Sequence, residues 1–321
     1  MRILVTGGAG FIGSNLCDVL LSSAHQVHCL DNFITGKLEN IAHLIEQPNF
    51  TLYEGDIRSL TACQTAMKGC DLVVHLAALG SVPRSINDPL TSNSINIDGF
   101  LNVIHTAKEL GIKRFVFAAS SSTYGDSEAL PKMEDIIGKP LSPYAVGKYV
   151  NELYAHVYAL NFGLSFIGLR YFNVFGKRQD PNGPYAAVIP KFIDQLLNNE
   201  SPIVNGDGTN TRDFTHVENV IQATMLAIEN KNPVAENQIY NVAFGESTSL
   251  IALTEAIRSS IQVRKPGLNL PKCIFGPYRK GDIPHSLASI DKIKTLLGYN
   301  PSVSVQEGIA KTVDWIISSK G

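Results

Sequence analysis

The chain has 321 residues and is poor in several features that mark whole functional classes. It has no large imbalance of charge: 27 Lys and Arg stand against 29 Asp and Glu, a formal net charge of −2. Without a basic excess there is no global attraction to nucleic acid or to an anionic membrane, only room for a local basic site that binds a phosphorylated small molecule. The five cysteines, Cys17, Cys29, Cys63, Cys70 and Cys273, are odd in number and contain no C-x-x-C spacing. That disfavours a disulfide scaffold and a structural zinc site. No metal is expected, and the thiols read as core packing in a reducing compartment. No apolar run reaches the ~18 residues that suggest a membrane span. The chain opens directly on Arg2-Ile3-Leu4-Val5, a strand-like run, rather than on the basic and apolar stretches of a secretory leader. A cytoplasmic protein is expected. No internal repeat or low-complexity tract is visible.

What the chain does have is 44% hydrophobic residues, enough for one large α/β unit or two modest domains sharing a cleft. Through the first half, short β-rich runs alternate with helical stretches. Strands are predicted at 2–6, 26–31, 50–54, 72–76, 114–118 and 165–169, and helices at 11–22, 61–68, 91–110 and 144–160. Such alternation implies right-handed crossovers and a parallel sheet covered on both faces, a doubly wound α/β fold. After Phe172 the rhythm breaks, with Gly176, Pro181, Gly183, Pro184, Gly206 and Gly208 punctuating the chain. A first domain at 1–172 and a smaller C-terminal α/β domain at 173–321 are expected, with segments near 217–243 returning to the first.

Thr6-Gly7-Gly8-Ala9-Gly10-Phe11-Ile12-Gly13 joins the first strand to the first helix and satisfies both G-x-G-x-x-G and G-x-x-G-x-x-G. Glycine permits the tight turn and lets a pyrophosphate approach the backbone at a helix N-terminus, where free N–H groups favour an anion. Asp31 ends the next strand at the expected distance. It can accept hydrogen bonds from adenosine ribose hydroxyls while repelling a 2′-phosphate, which favours NAD over NADP. Asp56 ends the third strand, either as an adenine contact or as a helix cap. His75-Leu76-Ala77-Ala78 ends the fourth with small residues against which a cofactor can lie.

Tyr144 and Lys148 have i, i+4 spacing at the start of a helix behind Pro143, which puts both side chains on one face. A tyrosine of reference pKa ~10 needs its phenolate stabilised to act as a base at neutral pH, and an adjacent ammonium supplies that. Ala119-Ser120-Ser121-Ser122-Thr123-Tyr124-Gly125 follows the fifth strand at the carboxyl edge, where open α/β sheets bind ligands. Each element alone has a plain reading: a polar turn, a packing tyrosine, a surface lysine. Their order and spacing carry the signal.

In that order and spacing the chain resembles the extended short-chain dehydrogenase/reductase superfamily, with its Rossmann sheet, and within it the sugar-nucleotide epimerase branch. It is most similar to bacterial UDP-N-acetylglucosamine 4-epimerases. The likeness is carried by AALGSVPRSINDP (77–89), AASSSTYGD (118–126), LRYFNVFGKRQDPNGPYAAVIPKF (169–192), GDGTNTRDFTHVEN (206–219) and YRKGDIPHSLASI (278–290). The resemblance implies Tyr144 as base, Lys148 as the group that orients the nicotinamide ribose, and Ser120 as the aid to proton transfer. It implies NAD contacts at Gly7, Gly10, Phe11, Ile12, Gly13, Asp31, Asn32, Asp56, Ile57, Leu76, Ala77, Ala78, Asn96, Tyr144, Lys148 and Tyr171. Asn173, Val188, Lys191, Asn205, Arg212, Arg279 and Asp282 match positions that hold UDP. Gly80, Ser81, Ser122, Asn173, Gln179 and Ala187 match residues around an N-acetyl group, with Ser121 also on the substrate side. Ser286 matches a position that is a bulky tyrosine in relatives restricted to UDP-glucose and UDP-galactose. Related dehydratases carry an Asp-Glu pair where this chain has Ser121 and Ser122, which disfavours dehydration. The expected partners are a UDP-sugar substrate and a second copy of the chain, joined as a homodimer through the helices at 91–110 and 144–160. The rival readings are a 4-epimerase of UDP-glucose or UDP-glucuronate, and a non-catalytic NAD-binding sensor.

Overall fold

The structure is a computed structural model that describes residues 1–182, 186–278 and 284–320. Six strands alternate with helices through its first half: β1 (Arg2–Thr6), β2 (Gln26–Asp31), β3 (Phe50–Glu54), β4 (Leu72–His75), β5 (Arg114–Ser120) and β6 (Ser165–Tyr171). Every pairing among them is parallel. Successive residues of β1 point to opposite faces. Ile3 and Val5 join a core with Leu16 and Leu20, while Leu4 joins a second core with Phe100 and Phe117. Coverage on both faces is why these strands read as nearly continuous apolar runs.

Helix α1 (Phe11–Ser22) follows β1 and α2 (Leu60–Met67) follows β3. The stretch expected as one helix at 91–110 is helical throughout but changes register. After α3 (Val82–Asn87) and α4 (Pro89–Asn93), Ser94–Asp98 forms a π-helical turn, and α5 (Gly99–Glu109) completes it. Such wide turns insert an extra residue and re-aim the side chains around it. Helix α6 (Pro143–Phe162) has clear end signals. Ser142 Oγ accepts from the N–H of Ala145 at 3.1 Å, proline takes the first turn, and Gly163 stops the helix in a left-handed conformation.

After β6 the chain leaves the sheet. It forms β7 (Val174–Phe175), α7 (Val188–Leu197), β8 (Ile203–Asn205), β9 (Thr211–Arg212) and β10 (Thr215–His216), then returns through α8 (Val217–Glu229) to β11 (Gln238–Val242). Strand β11 pairs in parallel with β6, so the seven-stranded order is β11-β6-β5-β4-β1-β2-β3. The remaining elements are β12 (Thr248–Ser249), α9 (Leu250–Arg264), β13 (Ile274–Gly276), α10 (Asp291–Leu297) and α11 (Val305–Lys320). Helices α7, α9 and α11 enclose a third core that includes Phe192, Ile193, Ile257, Ile261, Ile309 and Val313. Among the described residues, no helix is long and apolar enough to cross a membrane, and no cluster of His, Cys, Asp or Glu has the makings of a metal site.

Candidate active site

Strand order reverses at β1, which has β2 on one side and β4 on the other; the chain ends of β1 and β4 therefore diverge into a crevice. The glycine turn floors it. Gly7 has φ +72°, and a Cβ there would lie 2.7 Å from the backbone N of Ala77. A Cβ at Gly13 would lie 2.1 Å from the carbonyl O of Gly7. Only glycine fits either position. Helix α1 begins at once, and no side chain caps its N-terminus at Gly10, leaving the first-turn N–H groups directed at the crevice.

At the crevice rim Asp31 is 7% exposed. Its carboxylate accepts from the N–H of Ala9 and of Phe33, each at 2.9 Å. Burial raises its pKa against these bonds. The carboxylate keeps acceptor capacity for ligand hydroxyls. Asp56 is held differently: Arg58 grips it through Nε at 3.0 Å and Nη2 at 2.7 Å, and Asn32 Nδ2 donates to it at 2.8 Å. The Arg58 guanidinium holds that carboxyl down at about 2.

The cleft encloses about 1370 Å³, and its lining runs from Gly7, Asp31 and Ile57 past Ser120, Tyr144 and Lys148 to Arg212 and Ser286. A single small-molecule pocket spans roughly 300–1,000 Å³, so this cleft has room for two ligands side by side. In its middle, Lys148 is 2% exposed and donates to the carbonyl of Ala118 at 2.7 Å. Its Nζ lies 6.0 Å from the centre of the Tyr144 ring. Burial lowers the Lys148 pKa to about 8, against the pull of Glu152 one turn on. Burial also raises the Tyr144 phenol, and the Ser120 hydroxyl opposes that rise. Ser120 Oγ accepts from Ser122 Oγ at 2.9 Å and from the Ser122 N–H at 3.2 Å. The arrangement can take a proton from a hydroxyl held near Tyr144 and pass it along a serine pair.

Of the expected residues, Gly10, Phe11, Ile12, Asn32, Leu76, Ala77, Ala78, Tyr171, Gly80, Ser81, Ser121, Ser122, Asn173, Gln179, Ala187 and Val188 also line the cleft. Four expected residues do not. Asn96 lies behind the wall, where its amide accepts from the N–H of Leu79 at 2.7 Å and donates to the Leu79 carbonyl at 3.1 Å; the π-turn delivers it to that backbone. Asp56 is occupied by Arg58, Lys191 is exposed on α7, and Asn205 stands on β8 outside the lining. Arg279 and Asp282 fall outside the described residues.

Sequence reasoning missed the groups that brace the substrate end. Asp213, fully buried, accepts from the N–H of Phe244 at 3.1 Å and from those of Gly245 and Ala288 at 3.2 Å, tying the Arg212 strand to the segment that carries Ser286. Burial pushes its carboxyl up to about 7 while these donors pull it down. Lys132 also lines the cleft. Neither carries a local signal beyond its residue type, because each works through partners remote in sequence.

A two-ligand cleft floored by glycine backbone, with a buried lysine beside a tyrosine at its middle, defines an α/β enzyme that works on a hydroxyl group with the help of a dinucleotide. Residues 3–243 match the model of the NAD dependent epimerase/dehydratase family, and the chain belongs to it; NAD is its cofactor. A putative UDP-glucose 4-epimerase of Methanocaldococcus jannaschii is 37% identical over 315 residues, covering 98% of each chain. A UDP-N-acetylglucosamine 4-epimerase from Methanobrevibacter ruminantium, solved with UDP-N-acetylmuramic acid, is 38% identical with TM-score 0.91, covering 99% of this chain and 98% of that one. A UDP-glucuronic acid 4-epimerase from Bacillus cereus, solved with UDP-glucuronic acid and NAD, is 34% identical with TM-score 0.89, covering 99% of this chain and 100% of that one.

Proposed function

We propose that the chain interconverts UDP-N-acetylglucosamine and UDP-N-acetylgalactosamine as a 4-epimerase. The observation that carries this reading is free space at the substrate end. Ser286 contributes a small side chain to the cleft wall, and a Cβ at Gly80 would meet nothing within 4 Å. An acetamido group needs that volume; a plain hydroxyl does not.

NAD, when bound, supplies the acceptor and then the donor of the hydride exchanged at sugar C4. The glycine floor and uncapped α1 hold its pyrophosphate, and Asp31 takes ribose hydroxyls. Tyr144 removes the proton from the 4-hydroxyl, with the Ser120 hydroxyl in relay and the Lys148 ammonium lowering the cost of the phenolate. Arg212 grips diphosphate oxygens. With uridine diphosphate anchored away from the reacting carbon, the 4-keto sugar turns over without leaving and offers its other face. Ser121 and Ser122, which are not carboxylates, provide no acid or base for water elimination. The same reading assigns residues 1–172, with the returning 217–243, to NAD and the rest to the UDP-sugar, and has the chain act as a homodimer.

The test is incubation of purified protein with a panel of UDP-sugars, without added reduced cofactor, followed by separation of C4 stereoisomers. The reading expects the N-acetylated pair to interconvert fastest. Turnover of UDP-glucose or UDP-glucuronate with no action on either N-acetylated sugar would replace it with the rival epimerase readings.

A further inference from the structure

Asp213 follows β9, is fully buried and does not line the cleft, yet it is tied to three residues that do. Its Oδ1 accepts from the N–H of Phe244 at 3.1 Å, its Oδ2 from that of Ala288 at 3.2 Å, and both oxygens accept from the N–H of Gly245. Phe244 and Gly245 lie just beyond β11, the edge strand of the seven-stranded sheet. The Asp213 carbonyl accepts from Asn173 Nδ2 at 3.0 Å. On β9, Thr211 donates its N–H to the carbonyl of Pro284 at 3.0 Å and accepts from the N–H of Ser286 at 3.1 Å. Arg212 Nη1 donates to the carbonyls of Thr211 and Pro284, at 2.8 and 3.2 Å. Asn173, Arg212 and Ser286 come from three separate stretches of chain, and all three line the cleft.

No basic side chain among the described residues pairs with this carboxylate; its donors are backbone amides. A charge taken out of water without a cation is costly, and an apolar side chain would fill the space without that cost. What the carboxylate alone provides is a three-way tie between the sheet edge, the Arg212 strand and the Ser286 segment. We propose that Asp213 is a positioning residue for UDP: it sets Arg212, Asn173 and Ser286 at the spacing that a uridine diphosphate group requires. The inference rests on the reading of Arg212 as the grip on the diphosphate, and is independent of which sugar UDP carries. Asp213 acts only through these neighbours. Asp213→Asn keeps the volume and one acceptor oxygen but turns a donor towards one of the N–H groups. In one orientation the Ala288 tie is lost, in the other the Phe244 tie, and two donors are left facing each other. Either way the substrate end loosens, while the glycine floor assigned to NAD is no part of the tie.

The experiment titrates UDP into the NAD-loaded wild type, Asp213→Asn and Tyr299→Phe by calorimetry, well below each thermal midpoint. Tyr299→Phe is the control for general loosening: it removes a buried bond of 2.9 Å to the carbonyl of Ala243, beside Phe244, and leaves the Asp213 tie in place. Asp213→Asn is expected to raise the Kd for UDP at least about tenfold with bound NAD unchanged, and Tyr299→Phe to lower the midpoint with a Kd within about twofold of wild type. A Kd within about threefold of wild type in Asp213→Asn, or an equal rise in Tyr299→Phe, overturns the proposal. Hydrogen exchange of the wild type supplies a reading that needs no variant. Gly245 and Ala288 lie outside the cleft lining, yet saturating UDP should slow exchange of their amides at least about threefold, because whatever steadies Arg212 steadies its tie. Unchanged exchange at both amides also overturns it. A wild type with no affinity for UDP would end the reading of Arg212 as well, whereas the other adverse results leave that reading standing.

Discussion

Arg170 on β6 and Glu152 on α6 form a bidentate ion pair at 2.8 and 2.7 Å, with both side chains 3% exposed. Arg170 also donates to the carbonyl of Glu134 at 2.8 Å and lies over the Tyr124 ring. Glu152 is one turn beyond Lys148, so the pair fixes the helix that carries Tyr144 and Lys148 against the sheet. Glu152→Gln strands a buried guanidinium and is expected to cost about 3–5 kcal/mol, read by urea unfolding. Replacing both partners with Leu and Met should recover most of that loss, because the pair must first offset its own desolvation.

If Lys148 and Tyr144 act as proposed, the reaction is sensitive to alkaline pH. Its folded pKa, about 8, lies below the unfolded reference value of ~10.4. The native state therefore binds fewer protons than the unfolded state between these values, and stability contributed by this group rises with pH across that window. Activity runs the other way, since losing the ammonium removes support for the Tyr144 phenolate. The kcat/KM profile should fall above about pH 8. Lys148→Arg, which stays charged, should move that limb upward at reduced activity, and Glu152→Gln should move it downward.

Ser286→Tyr fills the pocket on which the proposed selectivity rests. We expect kcat/KM for UDP-N-acetylglucosamine to fall at least about 100-fold while activity on UDP-glucose is kept or gained, measured by separating the C4 epimers. An unchanged preference would contradict the volume argument.

Gly147 sits between Tyr144 and Lys148 in the interior of α6. A Cβ there would meet Asn96 Cβ at 3.5 Å and Ile97 Cγ1 at 3.6 Å, ordinary van der Waals contacts. Gly147→Ala should therefore stabilise the fold by about 0.5–1 kcal/mol through helix propensity, seen as a raised thermal midpoint.

Val146, Leu153, Val157 and Leu160 follow one another at spacings of a single helical face on α6, and are 45%, 48%, 48% and 85% exposed. If that stripe joins two copies, Leu153→Lys with Leu160→Lys should halve the mass found by light scattering. A wild-type mass equal to one chain would remove the dimer.

Strands β1, β2 and β3 were legible to the residue: β1 and β2 are apolar runs buried along nearly their whole length, and the edge strand β3 is a short β-rich run stopped by Gly55. The π-turn at Ser94–Asp98 was not, since residue types in 91–110 suit any helical register and the wider turn is set by Asn96 reaching the Leu79 backbone. The glycine floor and the Tyr144–Lys148 spacing are local patterns and could be read directly. Arg170–Glu152, Asp213 and Lys132 depend on partners brought together only by the finished sheet, so no window of sequence displays them.

The near-contact between Gly7 and Ala77 has a consequence for anyone seeking to retarget the cofactor. That floor is backbone laid on backbone, so no side chain can be added there to tune recognition. Acceptance of a 2′-phosphorylated dinucleotide would have to be engineered at the rim, by exchanging Asp31 and reshaping the neighbouring Gly36, whose Cβ would otherwise meet the Asp31 carboxylate at 2.8 Å.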